Sequence, residues 1–555
     1  MLAHMRWRAR GIIFLGGLLL VVSACGSEET SPATTATSVA SAASTATTNP
    51  PPPTHPASTT TTLPPDPNPV ITVRDRTEHT GDVTLVVEVT DAQGADTIES
   101  LTVVQEFNFQ IPDHAQEVID HTGLEPASTE ELITGRTAVS FDDPRFDFVY
   151  AADKEITEYI STNPLGPIDI TQTEPGTFEL TFTSEWPGRF PLHLTATDTT
   201  GNTTHLRIPI EIHWTKNPWE VRGIMFDGWT IDGAINVSND HLAAAIERVR
   251  SMNVNYISIN PIWYLEDAAS VDFQRAPMQW EADVGFNSMS DDQVVAMTAL
   301  AHNAGLAVQV KPMVFLNDRT WIGSVEPTDE WFDSYLDQVL LPVAKLAETN
   351  GVEMVSLLND SGNQNTFEQA WTEVIVEVRD VFGGDLTLAE SGSGNPFCCQ
   401  TPVSFTDQLD VYGFQAYMPG SGHPIFPLAE GVVDPTVSEM IENMVPHFDA
   451  RETEVTGSGH EAIATEMGIM NVDGANRSPA DLSYDRENWR IDNQEQIDYY
   501  EAVLRSYAER TWMRGLFVWN TTPGSQVYFE DPDLGLGADV QGQPVEDLIR
   551  LWFAG

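Results

Sequence analysis

Short apolar segments alternate with helical patterns from Pro218 to the end of the chain, and this alternation constrains the fold more than any other feature. The segments are flanked by Gly or Asn, which is typical of buried parallel strands. The predicted strands are residues 223–226, 256–260, 307–314, 353–358, 385–389, 409–414, 462–465 and 515–519. Strands that alternate with helices in this way favour an α/β fold, a (β/α)8 TIM barrel over residues 217–555. A doubly wound sheet is the alternative, but its usual Gly-rich phosphate loop after the first strand is missing from the sequence.

Apolar residues at helical spacing fill the intervals between these strands. Ser238 and Ser290 are predicted N-caps, because a Ser side chain accepts a hydrogen bond from the first turn of a helix. One helix is predicted from Trp331 to Glu348, and it stops before Gly351. The fifth interval carries the weakest helical pattern, at residues 403–407.

The region before the barrel, residues 69–216, has a different period. Apolar and polar residues alternate there in several short runs, which Gly and Pro turns separate. This pattern predicts an all-β, immunoglobulin-like sandwich domain of antiparallel strands. No catalytic constellation stands out in it, so a spacer and an accessory binding module are the two open roles.

The first 24 residues form a predicted lipoprotein signal peptide. Basic residues precede an apolar stretch at residues 11–22, which is short for a membrane span, and Ser23-Ala24-Cys25 resembles a bacterial lipobox. We therefore expect lipidation at Cys25 and an extracytoplasmic protein that is lipid-anchored to the bacterial cell membrane. An ordinary signal peptide with an incidental Cys is the alternative. Residues 25–68 are rich in Ser, Thr and Pro and are predicted to form a disordered linker.

The charge balance excludes one class of partner. The chain carries 82 acidic and 27 basic residues, a net charge of −55. Because a phosphate backbone needs Lys and Arg opposite it, nucleic acid is not an expected partner. A self-repelling acidic surface that maintains solubility explains the excess.

Polar and aromatic residues follow the predicted barrel strands at their C-terminal ends, where active sites of this fold form. The set combines carboxylates, amides and aromatic rings, which together suit a carbohydrate, because polar groups bind hydroxyls and rings pack on the apolar sugar face. Its members are Trp229, Trp263, Lys311, Asn359, Asp360, Glu390, Tyr417, Glu466 and Trp519. The predicted partner is a polysaccharide or an oligosaccharide.

Several of these stretches together resemble Glycoside Hydrolase Family 113, a family of endo-β-mannanases with the acid/base on strand four and the nucleophile on strand seven. The resemblance is carried by Lys311-Pro312-Met313-Val314, by residues 409–417, by Thr465-Glu466-Met467-Gly468 and by residues 515–519. It spans about residues 219–554. It implies a retaining glycosidase that acts on a β-linked, mannan-like glycan without a cofactor.

The resemblance also implies roles for single residues. Glu466 resembles the nucleophile, Tyr417 the residue that orients it, and Trp519 the aromatic floor under the reacting sugar. Asn359 resembles the residue that contacts the sugar 2-hydroxyl. Substrate binding is expected as well for Trp229, Trp263 and Lys311. Each has a purely structural alternative, such as a salt bridge or helix cap for a glutamate and core packing for a ring.

The chain departs from the family at the end of strand four, where Asp360 stands in place of the usual Glu. Asp is shorter by one methylene, about 1.5 Å, and a retaining mechanism needs its two carboxyl groups about 5–5.5 Å apart. Asp360 could act as the acid/base after a backbone adjustment, leave room for a water molecule, or mark lost activity. Glu390 on strand five is an alternative acid. A catalytically impaired, carbohydrate-binding surface protein is therefore the second functional hypothesis, and a structural scaffold is the third.

The cysteines and histidines are two further features that bear on chemistry. The adjacent Cys398 and Cys399 could form a vicinal disulfide or remain thiols. The histidines are scattered without the spacing of metal ligands, so we expect neither a metal nor a cofactor.

Overall fold

The computed structural model describes most of the chain after the predicted linker. The described residues are 68–76, 79–106, 158–226, 229–231, 239–275, 286–318, 320–391, 403–421, 434–480, 491–521 and 539–555. The predicted signal peptide with Cys25, most of the linker, Ser238 and the Cys398-Cys399 pair lie outside them.

In the described part of the chain before the barrel, seven antiparallel strands form two sheets. One sheet has the order β1-β2-β5-β4 and the other β3-β6-β7. The strands are β1 (Val70–Arg76), β2 (Gly81–Thr90), β3 (Ile98–Gln105), β4 (Asp169–Glu174), β5 (Thr177–Ser184), β6 (Gly188–Asp198) and β7 (Thr203–Ile212). Alternate residues of β2, from Val83 to Val89, are fully buried, and they share one apolar core with residues from both sheets. The period-two pattern thus forms two sheets that enclose a core. The immunoglobulin-like assignment stays a prediction.

The C-terminal region contains one eight-stranded parallel sheet that curls into a barrel. Its strands are β8 (Val221–Phe226), β10 (Tyr256–Ile259), β13 (Ala307–Val310), β15 (Met354–Ser356), β16 (Asp385–Thr387), β17 (Tyr412–Gln415), β18 (Ala462–Met467) and β19 (Met513–Thr521). Their spatial order is β16-β15-β13-β10-β8-β19-β18-β17. The two end strands of this order are β16 and β17. Glu390, which follows β16, bridges them, because its backbone carbonyl accepts a hydrogen bond from Gln415 N at 2.7 Å. The predicted barrel is confirmed.

The third predicted strand, residues 307–314, is interrupted in the structure. β13 ends at Val310, and a separate strand β14 (Met313–Leu316) pairs with β11 (Ile262–Leu265) in a small parallel sheet. Pro312 stands at the break and has no N–H to donate to the ladder, which explains the interruption. One further short pair joins β9 (Trp229–Ile231) to β12 (Phe286–Ser288).

Helices occupy the intervals between the barrel strands. They are α1 (Asn239–Ser251), α2 (Asp291–Asn303), α3 (Asp329–Tyr335), α4 (Leu341–Asn350), α5 (Glu368–Arg379), α6 (Val437–Ser458), α7 (Asn493–Ala508) and α8 (Val545–Trp552). Ser290 caps α2 as predicted, in a reciprocal capping box with Gln293. A π-helical turn, Leu336–Leu340, joins α3 to α4. The weak fifth pattern forms only a 3-10 turn, Thr406–Gln408, because its Ser, Thr and Asp residues compete with the backbone for hydrogen bonds.

The sheets before the barrel pack directly on its helices. Asn163 Nδ2 donates to Glu501 Oε1 on α7 at 2.6 Å. Trp186 stacks on Trp552 of α8 with ring centroids 5.8 Å apart, and Asn217 donates to the backbone carbonyl of Trp552 at 2.8 Å. Buried polar contacts and aromatic stacking thus join the two regions. Within the described ranges, no helix is long and apolar enough to cross a membrane.

Candidate active site

The predicted site residues lie at the C-terminal ends of the barrel strands. Parallel strands in a closed barrel bring these ends to one mouth. The described residues that stand at this mouth are Lys311 after β13, Asn359 and Asp360 after β15, Gln415 and Tyr417 at the end of β17, Glu466 in β18 and Trp519 in β19. These seven residues bring together two carboxyl groups, one ammonium group, two amides and two aromatic rings.

Glu466 is held by two side chains from neighbouring strands. Lys311 Nζ donates to Glu466 Oε1, and Tyr417 OH donates to Oε2 at 3.0 Å. The side chains of Lys311 and Glu466 are 0% and 7% exposed. A buried ammonium group stabilises the ionised carboxylate, and two donors from different strands fix its orientation. A nucleophilic carboxylate needs both properties.

Asp360 is held by two amides. Asn359 Nδ2 donates to Asp360 Oδ2 at 2.8 Å, and Gln415 Nε2 donates to Oδ1 at 2.5 Å. Burial and the nearby Glu466 carboxylate raise the pKa of Asp360 to about 7, while Gln415, Lys311 and Asn359 oppose the rise. A carboxyl group with this pKa is populated in both protonation states near neutral pH, which general acid/base catalysis requires.

The backbone at Asp360 is unusual and closely packed. Its φ is +55°, in the left-handed region that Asp tolerates better than most residues. A side chain at Gly323 would place its Cβ 2.6 Å from the Asp360 carbonyl oxygen, so this glycine allows the two loops to touch. The next residue, Ser361, donates its N–H to Ala389 O at 3.2 Å. Neighbouring segments thus fix the Asp360 backbone from both sides.

The two predicted aromatic residues contact each other beside Glu466. The rings of Tyr417 and Trp519 meet edge to face, with centroids 5.9 Å apart. Both are buried, and Tyr500 OH donates to the Trp519 backbone carbonyl at 3.2 Å. Burial raises the pKa of Tyr417 well above its usual value, so the phenol keeps its proton and acts as a donor.

Glu390, the alternative acid, is committed to a different interaction. It is fully buried, and its Oε2 accepts from Arg451 Nη1 of α6 at 2.8 Å. The Arg451 guanidinium carbon lies 4.7 Å from the centre of the Phe414 ring. A carboxylate in an ion pair with an outer helix is a structural group of the barrel wall. This ion pair favours a structural role for Glu390 over the role of the acid.

Three residues that the sequence predicts to contact the sugar, Lys311, Trp263 and Trp229, differ in their surroundings. Lys311 Nζ donates to Glu466, which favours a role in positioning that carboxylate over a contact with the sugar. Trp263 is 4% exposed, and the Arg275 guanidinium carbon lies 4.3 Å from its ring centre, which favours a packing role. The backbone of Trp229 forms part of β9, but its side chain lies outside the described residues.

Gln415 is a site residue to which sequence reasoning assigned no role. It is the last residue of β17 and precedes Tyr417 by two positions, so both residues stand at the same strand end. That spacing was the available signal. The partner that gives Gln415 its role, Asp360, lies 55 residues away in the sequence.

One carboxylate cluster in the described ranges could accommodate a hard cation. Ligand oxygens of Asp434, Asp473, Asp492 and Glu495 lie within 4.8 Å of one another. Glu495 also accepts from the backbone N–H groups of Gly474 and Asn476, at 2.6 and 2.7 Å. This hydrogen bonding organises the loop after β18, and we assign no ion to the cluster.

Comparison with known proteins gives one family and several solved structures. The sequence model of Glycoside Hydrolase Family 113 matches residues 231–531. No curated protein matches the chain. The GH113 β-mannanase AaManA from Alicyclobacillus acidocaldarius, in complex with ManMIm, is 21% identical over 60% of this chain and 96% of its own, with a TM-score of 0.48.

Two other solved structures illustrate the range of similarity. A GH113 β-1,4-mannanase complex is 22% identical over 60% of this chain and 98% of its own, with a TM-score of 0.48. A β-glucuronidase from Ruminococcus gnavus is 12% identical over 81% of this chain and 61% of its own, with a TM-score of 0.34.

Proposed function

Because the chain belongs to Glycoside Hydrolase Family 113 and is therefore a glycosidase, we propose that it hydrolyses a β-linked, mannan-like glycan with retention of anomeric configuration. Glu466 is the nucleophile and Asp360 the acid/base in this proposal. One observation carries it. Lys311 pairs with Glu466 and Tyr417 orients it, while Asp360, whose pKa burial and its neighbour Glu466 raise to about 7, is the group that can carry a proton.

In the first half of the reaction, Glu466 attacks the anomeric carbon. The bond from that carbon to the glycosidic oxygen breaks, and Asp360 donates its proton to the leaving oxygen. The products of this step are a glycosyl ester on Glu466 and an alcohol, with Asp360 ionised. Tyr417 holds the second oxygen of Glu466 during the attack.

In the second half, the ionised Asp360 takes a proton from water as the water oxygen attacks the same carbon. The ester bond breaks, Glu466 leaves as a carboxylate beside Lys311, and Asp360 is protonated again. A pKa of about 7 serves both halves, since one group must give a proton and later take one.

The shorter side chain at position 360 has to reach the same glycosidic bond. The left-handed backbone of Asp360 and its close contact with Gly323 are the local features that we propose compensate for the missing methylene. A side chain at the Gly323 position would push the Asp360 segment away.

The test compares Glu466→Gln with Glu461→Gln, an exposed glutamate just before the same strand. Purified protein is incubated with soluble β-mannan, reducing ends are measured, and proton NMR follows the first anomer released. We expect the wild type to release the retained anomer and Glu466→Gln to lose at least about a thousandfold in kcat. Glu461→Gln should match the wild type. Normal turnover by Glu466→Gln, or an inverted first product, contradicts the proposal.

The second candidate function is carbohydrate binding without turnover. The observation that favours it is the Asp at position 360, where the family has Glu. Wild-type protein that binds β-mannan in calorimetry but releases no reducing ends supports this alternative. Absence of both binding and turnover on a panel of β-glycans supports the scaffold hypothesis.

We also propose that the enzyme is exported and anchored by a lipid at Cys25, with residues 25–68 as a flexible linker and the sandwich as an immunoglobulin-like spacer. The sequence before the barrel supports this proposal. Cys25→Ser should move the protein from the membrane fraction of a bacterial host to the soluble fraction. Thiol titration before and after reduction tests the proposed Cys398–Cys399 disulfide.

A further inference from the structure

We propose that Gln415 is a positioning residue for the reaction, because its side-chain amide holds the Asp360 carboxyl in one orientation relative to Glu466. The inference rests on the proposed function, in which Asp360 is the acid/base. It adds a residue to which neither the resemblance nor the strand-end pattern assigned a role.

Gln415 contacts the Asp360 carboxyl group directly. Gln415 Nε2 donates to Asp360 Oδ1 at 2.5 Å, and Asn359 Nδ2 donates to Oδ2 at 2.8 Å. Each carboxyl oxygen thus has one amide donor. Asn359 is the sequence neighbour of Asp360 and moves with it, whereas Gln415 comes from another strand. Gln415 therefore restrains the carboxyl relative to the barrel.

The backbone of Gln415 is held by hydrogen bonds and strand pairing on both sides. Its N–H donates to Glu390 O at 2.7 Å on one side. On the other side Gln415 stands in register with Glu466, and Ala416, the residue after β17, donates its N–H to Glu466 O at 2.7 Å. The Gln415 side chain is largely buried. One residue therefore links the strand of the nucleophile to the acid, so the spacing of the two carboxyl groups depends on it.

Charged and titratable groups from neighbouring strands face Asp360. Among the described residues these are Glu466 on β18, Lys311 after β13 and, beyond Glu466, the phenol of Tyr417. Burial and Glu466 favour the protonated carboxyl, whereas the amide of Gln415 stabilises the ionised form. Gln415 thus lets Asp360 return to the base form that the second half-reaction uses.

The sign of the expected pH effect follows from these roles. The general acid is active while it is protonated, so kcat/KM falls on the alkaline side of its pKa. Removing a donor that stabilises the ionised form raises that pKa and moves the alkaline limb to higher pH. A residue with only a structural role would lower activity at every pH without moving the limb.

The test uses Gln415→Met, which keeps the length of the side chain and removes the donor, and Gln415→Glu, which also places a negative charge beside Asp360. Gln496→Met is the matched control. Gln496 is fully buried, and its replacement removes one comparable hydrogen bond, from Nε2 to Ile469 O at 3.0 Å. The measurement is kcat/KM from pH 5 to 10 on a soluble β-mannan oligosaccharide.

We expect the alkaline limb of the kcat/KM profile to shift to higher pH by about one unit in Gln415→Met, which corresponds to about 1.4 kcal/mol. The shift should be larger in Gln415→Glu. The limb should stay in place in Gln496→Met. An unchanged limb in both active Gln415 variants overturns the inference and leaves the proposed function intact. A wild type without turnover on any β-glycan overturns the proposed function first, and the inference with it.

Discussion

The Lys311–Glu466 ion pair offers a quantitative test of the site. Lys311→Met keeps a long, unbranched side chain but removes the ammonium group from a position that is 0% exposed. Glu466 then remains as a buried carboxylate without its opposite charge. Breaking a buried ion pair in this way costs about 3–5 kcal/mol of unfolding free energy. We expect a loss of that size in denaturant titrations.

The assay includes a double variant that isolates the electrostatic cause. The double variant, Lys311→Met with Glu466→Gln, no longer carries the uncompensated carboxylate charge at position 466. We therefore expect its free energy of unfolding to be higher than that of Lys311→Met alone. Lys345→Met is the control, because Lys345 is exposed on α4 and its replacement should change stability by less than about 0.5 kcal/mol.

Kinetics supply a second readout of the same variant. Because Lys311 contacts Glu466, the loss in Lys311→Met should fall on kcat, with little change in KM. Two results would refute the reasoning. One is a double variant that is no more stable than Lys311→Met, and the other is a loss confined to KM, which would return Lys311 to the sugar-binding role predicted from the sequence.

Three further predictions follow from the same contacts. In the wild type, kcat/KM should fall about tenfold per unit above pH about 7, since Asp360 must carry its proton, and a profile flat to pH 9 contradicts this role. Tyr417→Phe removes the 3.0 Å donor to Glu466, and a hydrogen bond to a charged group is worth about 1.5–3 kcal/mol, so kcat should drop about 10–100-fold with the circular dichroism spectrum unchanged. Asn163→Ala removes one of the two 2.6 Å donors to Glu501 Oε1, the other being Arg505, and a hydrogen bond to a charged group is worth about 1.5–3 kcal/mol, so thermal or urea unfolding should show a loss of that size while kcat/KM stays at the wild-type value.

Local patterns in the sequence were sufficient for the architecture. The buried strands of the barrel and their order along the chain follow from short apolar runs, and the cap of α2 follows from Ser290 and Gln293 alone. The position of Glu466 at the end of β18 follows from the same strand pattern. These features depend on residues close together in the chain, where periodicity and capping chemistry act.

Side-chain partners were decided by the tertiary structure. Glu390 and Asp360 were both candidate acids, yet Glu390 pairs with Arg451, 61 residues away, and Asp360 with Gln415, 55 residues away. Lys311 meets Glu466 across 155 residues. A strand pattern places a residue at the mouth of the barrel, but the carboxylate that it contacts depends on which strands become neighbours, on their register and on the direction of each side chain. Those three properties exist only once the barrel has closed.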